Sequence, residues 1–231
     1  MKCEIEGEYV HNINGRGGGE VTLPQTDAIL RTDESFRNFD QQTHHTGISV
    51  LQNLPINMVD AFPIDPMHLV YLGAVRKLLH KWCNQRRSMK VKISKHIITE
   101  ISLILDDIAK FIPVEFNRKT RSLDDVSRLK ATECRLLLLY VFPVILKHRL
   151  PEQIYQHFML LHIAIRILPW NEKVKDQANI EYANQLLILF VEQSPEIYGN
   201  SFITYNIHNL IHLADDCRRL GAIETQQCVA S

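Results

Sequence analysis

The sequence predicts a mainly α fold, five or six helices behind a small irregular, β-containing head. Two observations carry this. From Pro66 onward, apolar residues recur at helical spacing between caps and breakers. Before that, short segments alternate weakly around a glycine-rich stretch. The expected organisation is a head over 1–60, a helical region over 61–221 and a divergent tail over 222–231.

In the head, Glu4 to Val10 and Glu20 to Leu23 alternate as short strands do. Gly15-Arg16-Gly17-Gly18-Gly19 makes a flexible turn between them, and Asp33 to Gln42 suits a short helix. Asp65 caps the first long helix, and Pro66 takes its first position, where a missing N–H costs nothing. Met67, Val70, Ala74, Leu78 and Trp82 then share a face, to about Asn84. Ser94 caps a helix reaching Phe111, with Ile97, Ile101, Ile104 and Ile108 on one side. Ser122 caps the next. Asp124 and Asp125 lie in its first turn, where the helix dipole favours negative charge, and Pro143 bends or ends it. Pro151-Glu152 opens a helix that Pro169 stops. Glu172–Gln193 and Tyr205–Leu220 follow, the latter ended by Gly221.

The 26 basic and 26 acidic residues balance, so any contact with DNA rests on local patches. Five scattered cysteines, an odd number, argue against a disulfide framework and for a reducing nuclear or cytoplasmic compartment. The start Met1-Lys2-Cys3-Glu4 lacks the apolar core of a signal peptide. The longest apolar run, Leu136 to Leu146, contains Pro143 and falls well short of the roughly 20 residues a bilayer span needs, so no membrane partner is expected.

Four groups of residues are candidates for chemistry. Asp65 and His68 sit one turn apart at a helix start and suit a metal or a phosphate; ordinary capping, with His68 on a nearby carbonyl, is the favoured reading. His208, His212 and Asp216 recur every four residues, and two imidazoles so placed can share a zinc or iron ion. Asn209 stands where a His-Glu-x-x-His metalloprotease has its glutamate, and a polar stripe against a neighbouring helix is the other reading. Cys3 has no Cys-x-x-Cys partner, although His11, His44 and His45 are available to join it. The basic clusters Arg86-Arg87 with Lys90, Lys92 and Lys95, and Arg118-Lys119 with Arg121, fall between helices, where they serve either phosphate contacts or solvation. The doublets Asp106-Asp107, Asp124-Asp125 and Asp215-Asp216 are not chelating pairs, because adjacent helical side chains diverge by about 100°.

Several blocks together resemble the transposase of CACTA-type (En/Spm-like) DNA transposons. Lys2-Cys3-Glu4-Ile5-Glu6-Gly7-Glu8-Tyr9-Val10 is similar to the second half of that family's cysteine knuckle. Leu30 to Arg37, His45 to Ser49, Phe62 to Lys77, Arg118 to Leu123 and Arg128 to Arg135 match successive blocks. His157 to Arg166 and Tyr205 to Leu213 match the later helical region, so the resemblance runs to about Gly221.

The resemblance implies a DDE-type nuclease on an RNase H-like core, with these helices as its insertion region. Three carboxylates would hold two magnesium ions roughly 4 Å apart. Two of them are expected before the knuckle and the third beyond the last helix, so no catalytic residue is assigned within this chain; Glu224 falls too early for the third. Asp65 and His68 match the family's Asp-x-x-His word, a support of the core, with Pro66 in place of the usual tyrosine. The implied function is a catalytically inactive transposase-like unit, and the implied partners are DNA and other transposase subunits. Candidate DNA-binding residues are Arg118, Lys119, Arg121, Arg128 and Lys130, and candidate zinc ligands are Cys3, His208, His212 and Asp216. A helical protein-interaction module and a metal-dependent hydrolase on His208, His212 and Asp216 are the alternatives.

Overall fold

A computed structural model describes residues 2–11, 19–83, 91 and 93–223. Among these the chain is mainly helical, with one antiparallel two-stranded sheet. Strands β1 (Glu8–His11) and β2 (Gly19–Thr22) pair in the register Glu8↔Thr22 to His11↔Gly19. Strand β1 is shorter and later than the alternation predicts, because residues 2–4 pair elsewhere, whereas β2 lies within one residue of its expected place. Cys3 bridges Leu30, the Glu4 N–H donates to the Ile29 carbonyl at 2.8 Å, and the Arg31 N–H donates to the Lys2 carbonyl at 2.9 Å. Gly15 to Gly18, the middle of the expected turn, lies outside the described residues, as do Arg86, Arg87, Lys90, Lys92, Glu224 and Cys228.

Helix α1 (Asp33–Arg37) is shorter than expected and closed by a Thr32/Ser35 capping box. Asp33 and Arg37 then organise the following coil. The Asp33 carboxylate accepts from the Met58 N–H at 2.7 Å, and Arg37 donates to the carbonyls of Gln52 and Ile56 at 2.7 and 2.8 Å.

The helix predicted after Asp65 exists, with an unexpected winding. Met67–Val75 is π-helical and runs directly into α2 (Arg76–Cys83). Asp65 caps it as predicted, its carboxylate accepting from the Met67 N–H at 2.8 Å. Gly73 is required here, since a Cβ would stand 2.8 Å from the Asn206 side chain. Ser94 caps α3 (Lys95–Ile108) through the Ile97 N–H.

Three expectations need correction. Ser122 does not open a long helix. It caps a 3-10 segment, Leu123–Arg128, broken at Asp125, and the helix starts afresh as α4 (Ala131–Leu136). The Glu133 carboxylate closes that start by accepting from the Lys130 N–H at 2.8 Å. Pro143 does not end this helix, because a π-turn, Leu137–Val141, shifts the hydrogen-bond register just before it and the chain continues as α5 (Phe142–Ile145). The stretch from Glu172 is two helices, α7 (Asn171–Val174) and α8 (Gln177–Tyr198), because Asp176 caps α8 through the Ala178 N–H at 2.9 Å. Helix α6 (Glu152–Ile167) forms as expected.

The core lies around α6 and α8. Phe158 of α6 meets Trp82 at 6.0 Å and Phe142 at 6.2 Å between ring centroids, and all three are fully buried. His157 stacks on Phe190 at 4.2 Å and bonds the Phe190 carbonyl at 2.8 Å, and its burial pushes the imidazole down to about 4. The last helical stretch is α9 (Tyr205–His208), a 3-10 turn (Asn209–His212) and α10 (Leu213–Leu220), ending at Gly221 with φ 83°. The head docks here: the Leu23 N–H donates to the Ile203 carbonyl at 2.8 Å, and Glu20 pairs with Lys77 at 3.1 Å.

Candidate metal centre

The pairing of residues 2–4 with residues 29–31 accompanies complete burial of Cys3. Its thiol lies 3.1 Å from the Nε2 atom of His208, across 205 residues of chain. His208 is also fully buried, and its Nδ1 atom lies 3.2 Å from the Leu23 carbonyl. A carbonyl only accepts, so Nδ1 carries the proton and Nε2 keeps a lone pair directed at Cys3. Metal-binding histidines are commonly oriented this way, by an acceptor on the other ring nitrogen, here supplied by the backbone of the head.

His212 completes the group. One donor atom from each of Cys3, His208 and His212 lies within 4.8 Å of the others, and among the described residues no other set of three such side chains does so. The two imidazole centroids are 5.5 Å apart. A tetrahedral zinc with bonds of about 2.0–2.3 Å holds its ligand atoms about 3.3–3.8 Å apart, so closure requires a contraction of at most about 1.5 Å in any pair.

The electrostatics suit a cation. Burial pushes His212 down to about 4, aided by His208, and its buried Nε2 atom has no hydrogen-bond partner. Burial likewise lowers His208 and raises the Cys3 thiol, against a smaller opposing pull, chiefly from the Ile5 N–H. Neutral imidazoles are ready ligands, and a bound cation reverses the penalty on the thiolate.

Asp216 stays outside the group. It follows His212 on the α-helical stretch Leu213–Leu220, and its carboxylate is taken up by other partners. Its carboxylate, 1% exposed, accepts from the Ile64 N–H at 2.7 Å and pairs with Lys2 at 3.1 Å and with Arg219. It ties the segment ahead of Asp65 to α10 and to the residue beside Cys3.

The Asp65–His68 pair is separate and open to solvent, with side chains 51% and 65% exposed. His68 Nδ1 and Asp65 Oδ2 are 2.5 Å apart. Burial pulls the Asp65 carboxyl up, but the His68 ring and the Met67 N–H outweigh it and hold it low.

The basic candidates are scattered in their commitments. Arg121 grips the buried Glu133 carboxylate through two bonds, at 2.5 and 2.8 Å. Arg128 pairs with Asp125 at 2.8 Å, while Arg118, Lys119 and Lys130 are exposed. His11, His44 and His45 do not join Cys3. The described cysteines, Cys3, Cys83, Cys134 and Cys217, are free thiols, and no described helix is long and apolar enough to cross a membrane.

Sequence reasoning missed the carbonyl of Leu23 and the roles of Lys2 and Arg31. A backbone acceptor has no residue signal, and both cations act through partners distant in the chain. In comparisons with known proteins, no family model, curated protein or solved structure matches this chain.

Proposed function

We propose that this chain is a transposase-like helical unit, without catalysis of its own, whose head is clasped to its helices by a zinc ion on Cys3, His208 and His212. One observation carries the reading. A cysteine from the knuckle-like block and two histidines from the last helical block, which the CACTA-type resemblance names separately, converge in a buried cluster. The ion supplies a cross-link there, and the residues supply a thiolate and two neutral imidazoles. In this reading the helices are the insertion region of an RNase H-like parent, and the working activity is binding of DNA or of other subunits. A hydrolase reading needs a free carboxylate beside the ion, and Asp216 is committed to Lys2, Arg219 and the Ile64 N–H.

The test is metal content. The purified chain should carry one zinc per molecule by plasma mass spectrometry, and Cys3→Ser and His212→Ala should each lose it. Wild-type protein without zinc, and unable to take it up, would sink the clasp. For DNA, affinity should fall steeply with salt and with loss of Arg118 and Lys119. Arg121 is a poorer probe, because its removal also strands Glu133. An interaction module is the second reading, favoured by Phe111 and Val114, exposed at 82% and 93%; salt-insensitive self-association lost on Phe111→Ser would support it instead.

A further inference from the structure

We propose that the cavity between the head and the start of the π-helix is a nucleotide site, anchored by Arg31. The cavity holds about 330 Å³ and opens beside the Asp65–His68 pair. Ligand sites typically run from about 300 to 1,000 Å³. Its lining divides by chemistry. Phe36, Met58 and Phe62 present flat or pliable apolar surface. Lys2, Arg31, Asn206 and His68 present polar or cationic groups, and the Asp65 carboxylate, also in the lining, is paired with His68.

The decisive feature is Arg31. Its guanidinium is half-buried, and its buried Nε atom has no hydrogen-bond partner. Its Nη2 atom meets only the Nδ1 atom of His44, at 2.7 Å. Burial, with Arg31 itself, pushes the His44 imidazole down, and an imidazole carries no negative charge in either form, so Arg31 keeps its charge uncompensated there. The neighbouring cations differ: Lys2 has Asp216, Arg37 has Asp33, and Arg219 has Asp60 and Asp216. Arg31 has no carboxylate within ion-pairing distance among the described residues. A partly desolvated guanidinium with no carboxylate beside it, on a residue lining a cavity of ligand size, calls for an anion with several acceptor oxygens, and a phosphate supplies them.

A phosphate alone would leave most of the cavity empty and the aromatic surface uncovered. A flat ring carried by the phosphate fills both, stacking on the aromatic side chains, with its polar edge within reach of Asn206 and His68. A nucleoside 5′-monophosphate has this combination, either free or as the end of a strand.

The experiment titrates AMP into the full-length chain and follows the Arg31 Nε–H resonance alongside calorimetry. AMP should bind at millimolar concentration or better and move that resonance. Adenosine and inorganic phosphate, tested separately, should each bind at least about ten-fold more weakly. Arg31→Gln should weaken AMP binding about ten-fold, and Phe62→Ala, at a position 45% exposed, should weaken it several-fold without unfolding the chain. A 5′-phosphorylated tetranucleotide distinguishes the sources: tighter binding than AMP assigns the site to a strand end, and equal or weaker binding assigns it to free nucleotide. Unchanged AMP affinity in folded Arg31→Gln or in Phe62→Ala, or no resonance shift at millimolar AMP, overturns the proposal. The inference is independent of the zinc clasp, since a chain that binds AMP and takes up no metal sinks only the latter.

Discussion

The head and the helices are held by different physics. The helical part has a continuous apolar core from Leu69 to Ile223, including five fully buried aromatic rings apart from Trp82. The head buries one small cluster, Cys3, Ile5 and Leu23, and leaves Ile29, Ile48 and Val50 at least 74% exposed. It is secured by hydrogen bonds, by ion pairs and by the cysteine–histidine group. The helices fold by hydrophobic burial, whereas the head depends on polar ties to a surface that must already exist.

The hardest blow to that contrast is Phe158→Ala. It should cost about 3–5 kcal/mol in urea denaturation and release the head with the helices, since the head's docking surface goes too. A head that keeps its hydrogen-exchange protection in this variant would break the comparison.

Acid comes next. His157 and His212 have folded-state values depressed from 6.5 to about 4. Their contribution is complete above the unfolded value, and it is lost as pH falls from 6.5 towards 4. The loss in metal-free protein should reach about 3 kcal/mol for each histidine. His157→Gln should remove the helical share of that slope, and His212→Gln the share at the junction. A flat stability profile between pH 6.5 and 4 would contradict both burial arguments.

Zinc should act mainly at the junction. At a free concentration 100 times its Kd it should add about 2.7 kcal/mol to wild type and nothing to Cys3→Ser, measured by thermal denaturation at fixed protein concentration. Equal stabilisation of both would place the ion elsewhere. Smallest is the cap: Asp65→Ala should cost about 1 kcal/mol and leave metal content unchanged.

What could be read from the sequence was local. Ser94, Pro151 and Gly221 mark helix ends because capping is decided within a few residues of chain. The π-turns at Met67–Val75 and Leu137–Val141 carry no such mark, since they answer to tertiary packing and to Pro143. Cys3, His208 and His212 each stand out as ligand-type side chains, but no spacing relates the first to the other two. Asp216 fits the four-residue period on paper and stays outside the group, its carboxylate held by the Ile64 N–H, Lys2 and Arg219, partners no local spacing reveals. Arg31 is unremarkable in sequence. It becomes conspicuous only when every neighbouring cation is seen to have a carboxylate.

The 205 residues between Cys3 and His208 also set an order in time. During synthesis the cysteine leaves the ribosome first and waits about 10–40 s for its imidazole, at typical elongation rates. Throughout that interval the head has neither its docking surface nor its clasp. The thiol is therefore most open to oxidation or to capture by a stray metal in the nascent chain, until α9 emerges to shield it.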